Sequence, residues 1–387
     1  MGTNPMKEHG GKGRTLLVFL FVLLLCVASA QAQKTAQIPV NQESHGSQEG
    51  LAAQNDEDLQ RGIELTRQGR FREAIPVLLA ARSHIPNRFA AEFNLALCYV
   101  ATGQDPAAIQ VLQSVLRGGH TTAPVYNLLA QAYVGVAEPE RAWEAFQQSA
   151  TLEPTNEKLY VFLSDACMDH GSYDLGLKVV SLGLEHLPKS ARLHYERAIF
   201  LSFLDEPDEA RKELQLAAEL APGSTISSLA MAQKGLLDGN MPQAIDAARK
   251  GLRKEPENYI LLTILGQALI RNGAGPGQPE FDEARKSLEQ SVAGHPDYSV
   301  SQLALGQLMV LARNVNEAIP HLEKAKQLAP DNPSAYSQLA AAYRQQGSLK
   351  ESEAMLAKLA SLNTAQAGKY KLDPPDHKGS YIGSAKP

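Results

Sequence analysis

Sulfur, aromatic rings and catalytic signatures are all scarce in this chain. Its 387 residues carry three cysteines. Cys26 lies in an N-terminal apolar run, while Cys98 and Cys167 lie far apart on helical stretches. Packed helices stand roughly 8–10 Å apart, and a disulfide needs Cα atoms within about 7 Å. Cys98 and Cys167 therefore read as two small buried side chains, and a disulfide framework is excluded. Aromatics make up 6% of the residues, with a single Trp, and Ala and Leu dominate. That mix suits helices packed at close range better than a β-rich core. The net charge of −5 offers no basic surplus for neutralising phosphates, which argues against nucleic acid as a partner. There is no His-Glu-x-x-His, Gly-rich phosphate loop, Gly-x-Ser-x-Gly or Cys-x-x-Cys. The ten histidines are scattered, and His186, His194 and His295 read as surface or cap residues. Asp165 and Asp169, four apart on one helix with Lys158 nearby, read as a solvated acidic spot, the alternative being a carboxylate pair that binds a cation. No enzyme activity, metal or cofactor is expected.

What is present begins with a leader. Lys7, Lys12 and Arg14 precede an unbroken apolar run from Leu16 to Val27, and Ala28-Ser29-Ala30 supplies the small residues of a cleavage site. Residues 1–30 therefore read as an export signal cleaved after Ala30, or after Ala32. The run is shorter than the roughly 20 residues that span a bilayer. The alternative is an uncleaved N-terminal membrane anchor, which would be the only membrane contact. Leu25 before Cys26 departs from a lipidation signal. No Asn-x-Ser/Thr sequon is usable, since Pro333 follows Asn332. These features fit a periplasmic or secreted bacterial protein. Residues 31–54, rich in Gln, Ser, Gly and Ala, read as a disordered linker.

From Asn55 a 34-residue period takes over. With Gly69 as slot 15, repeats fall at 55–88, 89–122, 123–156, 157–190, 191–224, 225–258, 259–298, 299–332 and 333–366. Slot 8 holds Gly62, Ala96, Ala130, Ser164, Ala198, Ala232, Gly266, Gly306 and Ala340. Slot 20 holds Ala74, Ala108, Ala142, Gly176, Ala210, Ala244, Ala284, Ala318 and Ser352. Two antiparallel helices can touch closely only where both carry small side chains, and these slots provide that seam. Leu78, Leu112, Phe146, Leu214, Leu288, Leu322 and Leu356 at slot 24 add an apolar stripe. Slot 32 is Pro in seven of the repeats, beginning with Pro86, and there it ends the second helix. Pro76 and Pro320, deeper in their helices, predict a mild bend. Repeat 7 holds six extra residues within 272–279, read as a tolerated hairpin insertion or a partner-contact loop. Residues 367–387, with Pro374-Pro375, read as a disordered tail.

A 34-residue period with small residues at slots 8 and 20 resembles the tetratricopeptide repeat family. The resemblance covers about four-fifths of the chain. It implies an all-α fold: a right-handed superhelical solenoid of about nine tandem helix-turn-helix units, with a concave groove lined by slots 2, 5, 9, 12 and 13 of the first helices. In this chain those slots hold Phe93, Leu97, Asn127, Gln131, Lys158, Asp165, Arg192, Tyr195, Ile199 and Phe203, then Gln233, Leu236, Gln267, Arg271 and Gln307. The slot-9 glutamines would bond the backbone of an extended segment and the apolar residues would take its side chains; the alternative is that Gln is simply a good exposed helix former. Some members grip a C-terminal carboxylate with Lys, Asn and Arg. Asn94 fits one position of that clamp, but Pro124 and Leu128 occupy two others, and the clamp is not assembled. The expectation is a non-catalytic scaffold or adaptor of the bacterial cell envelope that binds a protein or peptide in the groove. The alternative is an assembly or carrier factor for envelope polysaccharide or outer-membrane components.

Overall fold

A computed structural model describes residues 57–83 and 88–372. The export signal, the linker and the residues after 372 lie outside the described residues. The chain divides into two compact units at Asn240/Met241. The first contains α1 (57–67), α2 (Phe71–Arg82), α3 (Phe89–Ala101), α4 (Asp105–Arg117), α5 (Ala123–Gly135) and α6 (Pro139–Leu152). It continues with α7 (Glu157–Asp169), α8 (Tyr173–His186), α9 (Ala191–Phe203), α10 (Pro207–Leu220) and α11 (Thr225–Leu237). The second unit contains α12 (Met241–Leu252), α13 (Tyr259–Arg271), α14 (Pro279–Gly294), α15 (Ser299–Leu311), α16 (Val315–Leu328), α17 (Pro333–Gln346) and α18 (Leu349–Leu372). Among the described residues there is no strand. Odd-numbered helices are the first helices of the repeats and even-numbered ones the second.

The small-residue seam is buried throughout, both at slot 8 and at slot 20. The closeness of approach is measurable where the small residue is Gly. A Cβ on Gly62 would stand 2.5 Å from the Leu78 side chain, so a larger residue there would need Leu78 to move. The slot-24 side chains Leu78, Leu112, Phe146, Leu214, Leu288 and Leu322 have no exposed surface, whereas Leu356 of the last repeat, expected in the same stripe, is 47% exposed.

Slot 15 proves to be a backbone position rather than a packing position. All nine residues there have positive φ: Gly69, Gly103, Gly171, Gly239, Gly273 and Gly347, and also Ala137 at 58°, Asp205 at 63° and Arg313 at 60°. The next amide then reaches back five residues, as in Arg70 N–H to Leu65 O at 2.9 Å and Gln104 N–H to Tyr99 O at 2.8 Å, and the same bond recurs in every repeat. This is the left-handed termination that satisfies the last carbonyls of a helix. Gly adopts it without steric cost, whereas Ala and Arg do not.

A second device, unforeseen from the period, ties four of the repeats to their predecessors. Slot 4 lies six residues after the slot-32 proline and bonds that proline's carbonyl. Tyr160 Oη donates to Pro154 O at 2.8 Å, Tyr336 Oη to Pro330 O at 2.8 Å and Gln302 Nε2 to Pro296 O at 2.7 Å. His194 Nε2 lies 3.2 Å from Pro188 O in the same arrangement. Tyr, Gln and His share no propensity, but each offers a donor of similar reach.

Two helices depart from expectation. Of the tail expected from 367, residues 367–372 instead continue α18. Slot 32 of the last repeat is Thr364 instead of Pro, so the proline that stops seven other second helices is missing there. In repeat 7 the turn is intact through Gly273 and Ala274, whose amide bonds Leu269 O at 3.1 Å. The extra residues lie beyond it. Gly275 N–H donates to Gln278 Oε1 at 2.8 Å, closing a small loop, and Pro279 then opens α14, at 16 residues longer than the other second helices that precede it. Both α2 and α16 continue through their internal prolines, Pro76 and Pro320. Cys98 and Cys167 are free and buried, as the sequence implied.

Within each unit the first helices pack on one another from repeat to repeat: α3 on α5, α5 on α7, α7 on α9, α9 on α11, and in the second unit α13 on α15 and α15 on α17. Second helices meet their counterparts far less; α6 with α8 is the pair that does so. Closer spacing on the first-helix side turns that side of each stack inward.

Candidate partner-binding face

The first-helix side is where the sequence placed its fifteen candidate residues, and the structure divides them. Phe93, Leu97, Asn127 and Tyr195 are buried within the first unit. Phe93 and Leu97 belong to its apolar core. Asn127 is a tie between repeats: its Nδ2 donates to Leu159 O at 2.8 Å, and its Oδ1 accepts from Gln131 Nε2 at 2.7 Å. Slot 5 alternates between packing and polar bonding because the next first helix covers it. The other candidates reach the surface. Lys158 and Phe203 are exposed, and Gln131, Asp165, Arg192, Ile199, Gln233 and Leu236 are half-buried. In the second unit Gln267 is half-buried, and Arg271 and Gln307 are exposed.

Repeats 4 and 5 hold the most heavily charged part of the first unit's face. Arg192 Nη2 pairs with Glu196 Oε1 at 2.6 Å, one turn along α9. Asp165 on α7 stands near both. Burial first, then the Glu196 charge, pushes the Asp165 carboxyl well above the usual carboxylate range, and the Arg192 guanidinium only partly opposes this. The expectation of a solvated acidic spot is thereby corrected at Asp165, whose half-buried carboxyl lies beside Glu196 and Arg192 of the next first helix. Beside this cluster Phe203, 52% exposed, stacks on Tyr173 with ring centroids 4.6 Å apart. Tyr173 was not among the candidates, since slot 17 is a second-helix position; a ring at slot 17 facing one at slot 13 of the next repeat was the available signal.

The second unit's face is different. Its first helices α13, α15 and α17 contain no Asp or Glu. Gln267, Gln307, Arg271 and Arg344 share this face with Ile270, Leu303 and Leu311, the last 47% exposed. Among the described residues the second unit's ion pairs sit instead on its second helices and loops: Arg249–Glu283 at 2.5 Å, Arg285–Glu289 at 2.8 Å, Lys324–Asp297 at 2.7 Å and Lys326–Glu323 at 2.5 Å. No group of three or more His, Cys, Asp or Glu side chains is placed to hold a metal among the described residues.

Antiparallel helix pairs in tandem, joined at a small-residue seam and terminated alike, define a helical repeat protein of the interaction-scaffold class. The chain contains tetratricopeptide repeats: tetratricopeptide repeat family models match residues 65–132, 277–333 and 309–367. A curated relative, "ALBINO3-like protein 3, mitochondrial" of Arabidopsis thaliana, is 30% identical over 119 residues, covering 28% of this chain. The chain spans about a fifth of that relative's length, since the match covers 20% of it. Among solved structures, the crystal structure of the APC/C hetero-tetramer Cut9–Hcn1 aligns with a TM-score of 0.45 at 14% identity, covering 77% of this chain and 58% of that one. A tetratricopeptide repeat protein from Parabacteroides merdae aligns with a TM-score of 0.43 at 15% identity, covering 74% and 98%. No helix among the described residues is long and apolar enough to cross a membrane.

Proposed function

We propose that this protein is a non-catalytic scaffold that holds a polypeptide partner on its first-helix face, and that it works in the bacterial cell envelope. The observation that carries the first part is the unequal finish of the two sides. Many charges on the second helices of the second unit are matched into ion pairs, whereas the first helices of that unit leave Leu311, Gln307 and Arg271 exposed, and Phe203 in the first unit stays half open beside its stack on Tyr173. Apolar and amide groups left open together on one face are what a partner's side chains and backbone can use. The envelope location is supported by the export signal read in residues 1–30. Photo-crosslinking amino acids placed at Phe203 and Gln307, with one at the exposed second-helix residue Lys212 as control, test the face in cells. Partner adducts at the first two sites and not at the third are expected; adducts confined to Lys212 would overturn the assignment. Fractionation tests the location, with a mature N-terminus at Gln31 or Gln33 expected in the periplasmic fraction and full-length chain in the cytosol contradicting it.

A further inference from the structure

We infer that the second unit's part of this face, α13, α15 and α17, accepts an extended acidic segment whose two carboxylates are spaced to meet Arg271 and Arg344. The inference rests on the proposed use of the first-helix face and adds the chemistry of the occupant. Three observations lead to it. The first helices of this unit carry no carboxylate, while its second helices carry many. Arg271 and Arg344 are exposed and make no ion pair among the described residues, unlike Arg249 and Arg285 on the opposite side. Between them, on α15, lie the apolar Leu303 and Leu311 and the exposed amide of Gln307, which has no hydrogen-bond partner among the described residues.

Geometry then sets the spacing. Arg271 ends α13 and Arg344 lies near the end of α17, two helix steps away. At roughly 8–10 Å per step the separation is roughly 16–20 Å. An extended chain rises about 3.3 Å per residue and repeats its face every second residue, so the fitting acids stand about six residues apart. An apolar residue between them, on the same face, meets Leu311 at the end of α15, and Gln307, one turn earlier, is placed to bond the backbone. A basic or polyphosphate occupant does not fit: the first is repelled, and the second leaves the apolar middle uncovered.

The experiment uses the full chain and a fluorescent, amide-capped peptide with two aspartates six residues apart and leucines between them. Fluorescence anisotropy is expected to show binding that weakens with salt and falls about tenfold in each of Arg271→Glu and Arg344→Glu. Thermal unfolding of both variants at the wild-type midpoint secures that the fold is intact, as expected at exposed sites. An equally tight complex with the asparagine-for-aspartate peptide, or no loss in the charge-reversed variants, overturns the inference. A photo-crosslinker at Gln307 separates the two readings: adducts with the neutral peptide alone would refute the acidic occupant and keep the face, whereas adducts with no peptide would refute both.

Discussion

At the residue scale, the turn between paired helices carries the plainest strain. Ala137 and Arg313 hold left-handed backbone that six of their counterparts meet with Gly. Ala137→Gly and Arg313→Gly should each stabilise the fold by about 0.5–1 kcal/mol, the left-handed penalty less the added freedom of the unfolded chain. Urea midpoints check this; a decrease would show that the Arg313 side chain earns its position elsewhere. Asp165 offers the opposite lesson in pH. A carboxyl whose folded pKa is raised costs stability once pH exceeds the ordinary carboxylate range, so Asp165→Asn should raise the melting temperature at pH 7 and leave it unchanged at acid pH. Parallel melting curves at both values decide. His321 is held below its ordinary value of 6.5, chiefly by burial, while its Nδ1 lies 2.8 Å from Gln302 Oε1. A depressed histidine contributes stability above about pH 6.5 that is lost as pH falls through its folded value, so acid unfolding of the second unit should flatten in His321→Gln.

At the element scale, helix length follows from punctuation. Seven slot-32 prolines stop second helices, and Thr364 lets α18 continue to Leu372. Thr364→Pro should therefore shorten α18 at its end, measured as a small loss of helical circular dichroism, with the main unfolding transition in place because the buried seam residue Ser352 precedes the break. The insertion of repeat 7 obeys the same logic. The terminating turn at Gly273 is kept, and the extra length goes into a closed Gly/Pro loop and an early helix start at Pro279. Its place was legible because Gly and Pro have backbone meanings; its internal Gly275–Gln278 bond was not, because Gln has none. The slot-4 bond to the preceding proline carbonyl escaped the period for a similar reason. Periodicity reports burial, and Tyr160, Gln302 and His194 differ in every property except a donor at the right reach.

At the scale of the whole molecule, each repeat leans mainly on its neighbours, so stability is distributed along the chain and not pooled in one core. Leu288→Ala, at a fully buried slot-24 position in the second unit, should cost about 2–4 kcal/mol. Hydrogen exchange is expected to show faster opening in α13 to α16 while amides of α3 to α6 keep their protection; uniform acceleration across the chain would refute a distributed fold. By itself the sequence determined the period, the seam, the helix ends and the all-helical class, because small residues, glycines and prolines act through steric rules that hold locally wherever they stand. Only the tertiary structure decided which candidate residues are open. Phe93, Leu97, Asn127 and Tyr195 occupy groove slots by count yet are buried, while Gln307, at the same slot as Leu97, remains uncovered. Burial depends on what a neighbour 34 residues away brings to the same place, and that is a property of packing, which no single slot records.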